Sequence, residues 1–225
     1  MSLTRGRVTD SREPSPPIRA EFSAAEEPTV SYVTPAPPAA TPRLALAALV
    51  ATASVAFLVA GRADGAARSW ASYVAPAAAC PGSTDASAAP AVQERAVGCL
   101  LNWARAQARL KRLGRPVVLG RAATLKGRKV AACRQFSHTP CGTDPRAALR
   151  AVGYRYATMG ENLFLGTWGH VSPREAVAAW LQSPPHRANI LRPGFRHLGA
   201  ALVRAPGMRT EGDGALWITE FATPR

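Results

Sequence analysis

Apolar residues in the C-terminal two thirds of the chain first recur with the spacing of a helix. A stripe with steps of three and four residues runs from residue 92 to residue 113, and such a stripe predicts an amphipathic helix. Its members are Val92, Ala96, Cys99, Trp103, Ala106, Leu110 and Leu113. Gly114 and Pro116 indicate where this helix stops. A second helix is predicted over residues 121–135, with Lys129 interrupting its apolar face.

Local start and stop signals predict two further helices. Asp144 and Pro145 suit the N-cap and the first helical position, and Gly153 ends that helix. Residues 172–175 (SPRE) have the sequence of a capping box, which starts the next helix. We expect the prolines at 184–185 to stop it, because proline cannot continue a helix.

Two later segments are rich in residues that favour β-strands, namely 198–204 and 215–221, and a loop rich in Gly and Asp separates them. We expect these segments to pair as antiparallel strands, and residues 162–165 to add a third strand. Helices that come first in the sequence and cover a small antiparallel sheet indicate an α+β fold.

The N-terminal part is predicted to have no folded core. Residues 1–43 contain repeated prolines and almost no apolar periodicity, so they form a predicted disordered tail. Residues 44–61 hold an uncharged apolar run of 17 residues, which as a helix would be about 25 Å long. We interpret this run as a transmembrane anchor, because a cleavable signal normally begins near the N-terminus; a signal helix behind a misplaced start codon is the alternative. Residues 62–91 are a predicted linker, and residues 92–225 the folded domain.

All four cysteines follow the apolar run, which fits export into an oxidising compartment. Of the three possible pairings we favour Cys80 with Cys99 and Cys133 with Cys141, because each pair closes a short loop. A zinc site is the alternative, but the spacings contain no Cys-x-x-Cys pair. The domain is therefore predicted to lie outside the cytoplasm, anchored in the cell membrane or secreted after signal cleavage.

Positive charge is concentrated in the predicted domain. The chain has a net charge of +14, and from residue 80 onward 21 Lys and Arg face 8 Asp and Glu. Ten basic residues and no acidic one lie between Arg105 and Arg134. Such a field attracts anionic cell-envelope polymers or lipid head groups, and the alternative is a surface that is only solvated by its charges. Nucleic acid is not expected as a partner, because aromatic residues do not alternate with the basic ones.

Three short motifs contain the candidate chemistry. They are 136–138 (FSH), 160–162 (GEN) and 180–191 (WLQSPPHRANIL), and together they supply two histidines and a carboxylate from separate segments. A polar site on a folded domain is assembled in this way. A serine nucleophile is not favoured, because no Gly-x-Ser-x-Gly elbow is present.

These motifs resemble those of the CAP superfamily (cysteine-rich secretory proteins, antigen 5 and pathogenesis-related proteins), in its bacterial SCP-like extracellular branch. The resemblance covers residues 92–225. It implies an α-β-α sandwich CAP domain whose cavity is lined by His138, Glu161 and His186. It also implies lipid binding, which is known for several branches of the family.

One position departs from the pattern of the wider family. Many eukaryotic members have a second cavity glutamate shortly after the helix tryptophan, whereas this chain has Ser183 there. The nearest carboxylate on that helix, Glu175, is already explained by the capping box.

Two functions compete on these grounds. The favoured one is a non-enzymatic module that binds a lipid or an anionic envelope component. The alternative is a hydrolase of peptides or cell-wall material, in which His138 and His186 would bind a divalent metal, zinc or magnesium, and Glu161 would be the catalytic base. A structural or signalling partner at the cell surface is a third class.

Overall fold

Three antiparallel strands form the centre of the fold. In the computed structural model, which describes residues 69–209 and 212–225, they are β1 (Tyr156–Thr167), β2 (His197–Ala205) and β3 (Gly214–Pro224). β3 lies between the other two, in the order β1-β3-β2. The two predicted later strands and their antiparallel pairing are confirmed. The third strand is confirmed as well, and it is much longer than the four residues predicted for it.

Among the described residues, five α-helices accompany the sheet. They are α1 (Pro90–Gln107), α2 (Val117–Cys133), α3 (Ala147–Ala151), α4 (Pro173–Gln182) and α5 (Pro184–Ile190). Short 3-10 helices cover Trp70–Tyr73, Ala77–Ala79 and Pro140–Gly142.

α1 ends earlier than its apolar stripe predicted. Arg109 has a positive φ of 57° and turns the chain out of the helix. The fully buried Arg105 then holds the following loop, because its Nε donates to the backbone carbonyl of Lys111 at 2.8 Å. Leu110 and Leu113 therefore belong to a loop that returns to the core and not to the helix.

α2 begins four residues before its predicted start, with Pro116 as N-cap. Lys129 is exposed and does not interrupt the apolar face, contrary to the prediction. Lys126 is the basic residue on the buried face instead, and only 4% of its surface is exposed. The other buried residues of α2 are Leu119, Ala122, Ala123, Gly127 and Val130.

The start and stop signals of the later helices are largely confirmed. Ser172 and Glu175 form both hydrogen bonds of the capping box. The prolines at 184–185 end α4, but they also occupy the first turn of α5, a helix that was not predicted from the sequence. α3 has only five residues and starts after Arg146, two residues later than predicted, although the Asp144 side chain accepts the Arg146 N–H at 2.7 Å.

The helices cover both faces of the sheet, as the predicted sandwich requires. On one face, α1 and α4 pack against side chains of β2 and β3 that include Leu198, Trp217 and Phe221. On the other face, α2 packs against Leu216 and Ile218 of β3. Alternate residues of each strand therefore enter different cores, and the α+β sandwich fold is confirmed.

Part of the predicted linker packs against the domain. Ala75 and Cys80 are buried in the main core, and Arg174 of α4 donates to the Ala75 carbonyl at 3.0 Å. Residues 60–225 form one compact unit, whose described part has its own core and both disulfides, as expected of an independently folding domain.

The predicted tail (1–43) and apolar run (44–60) lie outside the described residues. Within 69–209 and 212–225, no helix has the length and apolar character needed to cross a membrane.

Both predicted disulfides are confirmed. Cys80 pairs with Cys99 and joins the N-terminal segment to α1, and Cys133 pairs with Cys141 across the loop after α2. No cysteine is left free, so the alternative of a cysteine zinc site is wrong.

Candidate functional site

His138 lies in the loop that follows α2. Arg134 ends the helix in the left-handed conformation, and the Cys133–Cys141 disulfide closes the loop. Inside it, the Gln135 side chain accepts the Cys141 N–H at 2.6 Å. The His138 side chain is 22% exposed, so it is reachable from solvent while its loop is held in place.

Glu161 lies on β1 and meets two nitrogen groups. Its Oε1 atom is 2.5 Å from His138 Nδ1 and 3.1 Å from Lys126 Nζ. Lys126 also donates to the backbone carbonyl of His138 at 2.5 Å. The Lys126 and Glu161 side chains are 5% and 4% exposed, so this is a buried ion pair. Lys126 therefore ties the histidine loop to the sheet.

β3 supplies a second carboxyl group at the same place. Glu220 is fully buried and stands directly opposite Glu161 in the β1–β3 ladder. Burial, and then the charge of Glu161, raise the pKa of Glu220 well above its ordinary value of 4.5, because a second ionised carboxylate would be desolvated beside the first. The raised pKa favours the protonated form of Glu220, which carries no charge beside Glu161.

We call Lys126, His138, Glu161 and Glu220 the ionic cluster. With Glu220 protonated, one ammonium group faces one carboxylate, so the buried charges of Lys126 and Glu161 balance. Among the described residues, neither Glu220 oxygen has a hydrogen-bond partner, and neither does Glu161 Oε2. A proton retained on Glu220 is the donor available to these oxygens.

His186 is held by a separate arrangement on α5. Asn162 Nδ2 donates to the His186 carbonyl at 3.1 Å, and Asn189 Nδ2 donates to Asn162 Oδ1 at 2.9 Å. The His186 ring contacts Ser183 Oγ at 2.9 Å through Nδ1. Because successive side chains on a strand alternate, Asn162 and Glu161 face opposite sides of β1. The structure therefore brings His138 and Glu161 into direct contact. The backbone of His186 is instead held by Asn162, the next residue of β1.

The contacts around Glu161 do not favour the expected divalent metal. Glu161, the expected base, already contacts the Lys126 ammonium group and the Nδ1 atom of His138, one of the two expected ligands. A cation placed there would be repelled by the Lys126 charge. Among the residues with described positions, no group of three His, Cys, Asp or Glu side chains is arranged to hold a metal ion. The donor set therefore does not fit the metal that the three motifs suggested.

Two members of the ionic cluster were missed in the sequence. Lys126 continues the buried stripe of α2 three residues after Ala123 and four before Val130, and that spacing was the available signal. Glu220 occupies an alternate position of β3 together with Leu216 and Ile218, which are both buried. A charged residue at a core position of either pattern indicates a buried partner.

The opposite face of α2 is exposed and basic. Val117, Arg121, Leu125 and Arg128 follow one another at steps of three and four residues, and we call them the α2 outer stripe. Of the ten basic residues between 105 and 134, Arg105 and Lys126 are buried, whereas the other eight are exposed. Most of the predicted basic field therefore reaches solvent.

Three comparisons with known proteins agree with this fold. A model of the "Cysteine-rich secretory protein family" (CAP) matches residues 100–219. The uncharacterized protein YkwD of Bacillus subtilis (strain 168) is 33% identical over 150 residues, which are 65% of this chain and 54% of that protein. This chain thus spans about half the length of its curated relative.

Two solved structures have the same fold at lower identity. An extracellular protein containing a SCP domain from Bacillus anthracis (str. Ames) is 19% identical, with a TM-score of 0.50 over 59% of this chain and 41% of that one. An outer surface protein of Borrelia burgdorferi is also 19% identical, with a TM-score of 0.50 over 57% of this chain and 90% of that one. The family match, the sandwich fold and the confirmed disulfides together show that the chain belongs to the cysteine-rich secretory protein (CAP) family.

Proposed function

We propose that the domain is an extracytoplasmic, non-enzymatic module that binds an anionic lipid surface through the α2 outer stripe. One observation carries the proposal. The large apolar side chains that stand exposed in the described chain are Val117, Leu125 and Phe136, at 81%, 41% and 46% exposure, and all three belong to α2 or the loop after it. The same segment, 117–136, contains no acidic residue.

The combination of charge and exposed apolar groups distinguishes a lipid surface from a soluble polymer. Arg121, Arg128 and Lys129 are exposed on α2 beside the apolar residues. A basic residue near an anionic membrane contributes about 1 kcal/mol of binding free energy, and apolar side chains add to it by entering the head-group region. A soluble anionic polymer would be attracted by the charges alone and would gain nothing from Leu125.

The location outside the cytoplasm is supported by three facts. Both disulfides fit an oxidising compartment. The matching family is described as secretory, and the solved structures of the same fold come from proteins described as extracellular or outer surface proteins. An anionic membrane or envelope surface would be within reach of a domain exported in this way.

Vesicle sedimentation tests the proposal directly. The unit 60–225 should co-sediment with vesicles of phosphatidylglycerol and phosphatidylcholine, should release at high salt, and should not bind phosphatidylcholine alone. Leu125→Gln and Arg128→Gln should each weaken binding several-fold. Arg155→Gln, which removes an exposed charge elsewhere on the domain, is the matched control and should bind like wild type.

Two results would overturn the proposal. The first is equal binding to neutral and anionic vesicles, or none to either. The second is retention on a soluble anionic polymer that Leu125→Gln leaves unchanged, because that would favour a charge-only partner.

The hydrolase alternative has its own signature. It requires turnover of peptide or cell-wall fragments that a chelator inhibits and that Glu161→Gln abolishes. The Lys126 ammonium 3.1 Å from Glu161 is the contact that argues against it. Chelator-sensitive turnover with the wild-type domain would establish the enzyme and exclude a purely binding role.

A further inference from the structure

A groove of about 390 Å³ lies at the outer edge of the sheet, away from the ionic cluster. Its floor is β2 from Leu198 to Ala200, one wall includes Glu94 of α1, and the other is the first turns of α2. Arg115 and Arg121 also line it. β2 is an edge strand, so backbone groups on its outer side have no partner strand of the main sheet.

The main-chain groups along this edge are satisfied on both sides of Ala200. Leu198 N–H donates to the Gly114 carbonyl at 2.8 Å, and Leu202 N–H donates to Glu94 Oε1 at 3.0 Å. Ala200 lies midway between Leu198 and Leu202. Its N–H and carbonyl point outward like theirs, because every second residue of an antiparallel strand without register shifts has the same orientation. Among the described residues, no hydrogen bond outside the regular ladder with β3 joins the Ala200 N–H or carbonyl to another backbone group. Ala200 therefore offers the groove one donor and one acceptor without a protein partner, on a residue that is 5% exposed.

Two glycines give the groove its shape. A Cβ atom at Gly199 would lie 2.1 Å from the Leu119 carbonyl, so α2 can pack directly on the strand only because this residue is glycine. A Cβ atom at Gly120 would meet nothing within 4 Å, because that position opens into the groove. A glycine inside a helix lowers helix stability, and here it leaves room for a ligand beside the strand edge.

Two guanidinium groups and one carboxyl group line the groove, and burial raises the pKa of that Glu94 carboxyl. The Arg115 side chain lies across Gly98 of α1, where a Cβ atom would be 2.7 Å from its Cδ, and its Nη2 donates to the Glu94 carbonyl at 3.0 Å. Its guanidinium is thereby held in place. The Glu94 carboxyl is engaged by the Leu202 N–H. Arg121 is exposed on the first turns of α2, so two guanidinium groups border the open edge.

We propose that this groove binds the carboxylate end of a short extended peptide. Ala200 N–H would donate to a carbonyl of the ligand, and the Ala200 carbonyl would accept one of its amide N–H groups, as in the addition of a strand to a sheet edge. Arg115 and Arg121 pair with the terminal carboxylate. The ligand is limited to a few residues, because Gly114 and Glu94 already occupy the edge on either side.

The groove shares Val117 and Arg121 with the lipid-binding surface, but the two proposals are separable. A peptide ligand needs the open edge at Ala200 and the space at Gly120, which a lipid surface does not need. Gly120→Leu should fill the groove and, because leucine favours helix, leave the fold intact. Vesicle binding should survive this change.

The test is an NMR titration of the ¹⁵N-labelled unit 60–225 with N-acetyl-trialanine, followed in amide spectra. We expect saturable shifts of Ala200, Gly120 and their neighbours, and at least tenfold weaker binding of the peptide with an amidated C-terminus. Gly120→Leu should abolish the shifts, Arg115→Gln should reduce the affinity several-fold, and Gly120→Ala, the matched control, should retain binding. Melting temperatures of all variants show that they are folded.

Three outcomes would overturn the proposal. They are the absence of saturable shifts at millimolar peptide, equal affinity for the acid and the amide, and unchanged binding by a folded Gly120→Leu variant. Absence of vesicle binding by the wild-type unit would count against the lipid proposal alone.

Discussion

The two faces of α2 place the same kind of side chain in opposite environments. On the inner face, Lys126 is buried and its ammonium contacts Glu161 at 3.1 Å. On the outer face, Arg121 and Arg128 are exposed between apolar residues. The inner charge is part of the fold, because removing it would leave a buried carboxylate unpaired. The outer charges are free to act on a partner.

This contrast teaches that net charge alone does not describe the basic field. Ten basic residues between Arg105 and Arg134 look equivalent in the sequence. Two of them are buried and bind groups of the protein itself, Arg105 the backbone carbonyls of a loop and Lys126 the ionic cluster. The helical period separates the two roles within α2, since Lys126 lies on the buried face, whereas Arg121, Arg128 and Lys129 are exposed.

The largest expected effect comes from breaking the inner face. Lys126→Met should destabilise the domain by about 3 to 5 kcal/mol, because Glu161 then keeps its charge in the core without a cation. Thermal unfolding of the unit 60–225 would measure this loss. Lys129→Met is the matched control, an exposed lysine on the same helix, and should change stability by less than about 0.5 kcal/mol. Equal effects of the two changes would contradict the comparison.

Removal of either disulfide should cause the next largest loss of stability. Replacing both members of the Cys80–Cys99 pair by serine should cost about 3 kcal/mol, and the same change of Cys133–Cys141 about 2.5 kcal/mol, because the second pair closes the shorter loop. Denaturant unfolding would rank them. If the His138 loop depends on its disulfide, the His138 ring signals in NMR spectra will change in the second variant and stay constant in the first. Unchanged melting under reductant would contradict both values.

The pH dependence of stability tests the buried proton. Because the pKa of Glu220 is raised in the folded state, the fold retains a proton that the unfolded chain loses above about pH 4.5. Stability from this group is therefore fully present below about pH 4.5 and declines as the pH rises from there towards the raised folded-state pKa of Glu220. Glu220→Gln keeps a hydrogen-bond donor but has no carboxyl group that titrates. Its melting temperature, expressed relative to that of wild type, should therefore increase between pH 4 and pH 8. Parallel pH profiles would show that Glu220 is not protonated in the fold.

The smallest effect on stability belongs to the outer face, where binding should change instead. Lys129→Gln should leave the melting temperature within about 1 °C of wild type, because the side chain is exposed. It should weaken binding to anionic vesicles by about fivefold, which corresponds to about 1 kcal/mol. A loss of stability without a loss of binding would reverse the assignment of the two faces.

The sequence predicted the elements whose signals are local. The capping box of Ser172 and Glu175 and the two cysteine pairs were correct because each depends on spacing along the chain. The end of α1 was misplaced because the tertiary contacts of Arg105 override the apolar stripe that continues to Leu113. α5 was missed because a proline pair that stops one helix can also start the next.

The candidate site was predicted in part. The motifs identified His138 and Glu161, and these two residues do meet. Lys126 and Glu220 come from elements distant in sequence, and only the packing of α2 on the sheet brings them to Glu161. Their presence changes the chemistry, since a lysine in the cluster replaces the cation that a metal would supply.

The position of the domain on a membrane tests the central claim most directly. The ¹⁵N-labelled unit 60–225 would be mixed with phosphatidylglycerol nanodiscs that contain spin-labelled head groups, and the broadening of each amide signal would be measured. We predict the strongest broadening at Val117, Arg121, Leu125, Arg128 and Phe136. Broadening centred on another part of the domain, or none, would contradict the assignment of the α2 outer stripe as the binding surface.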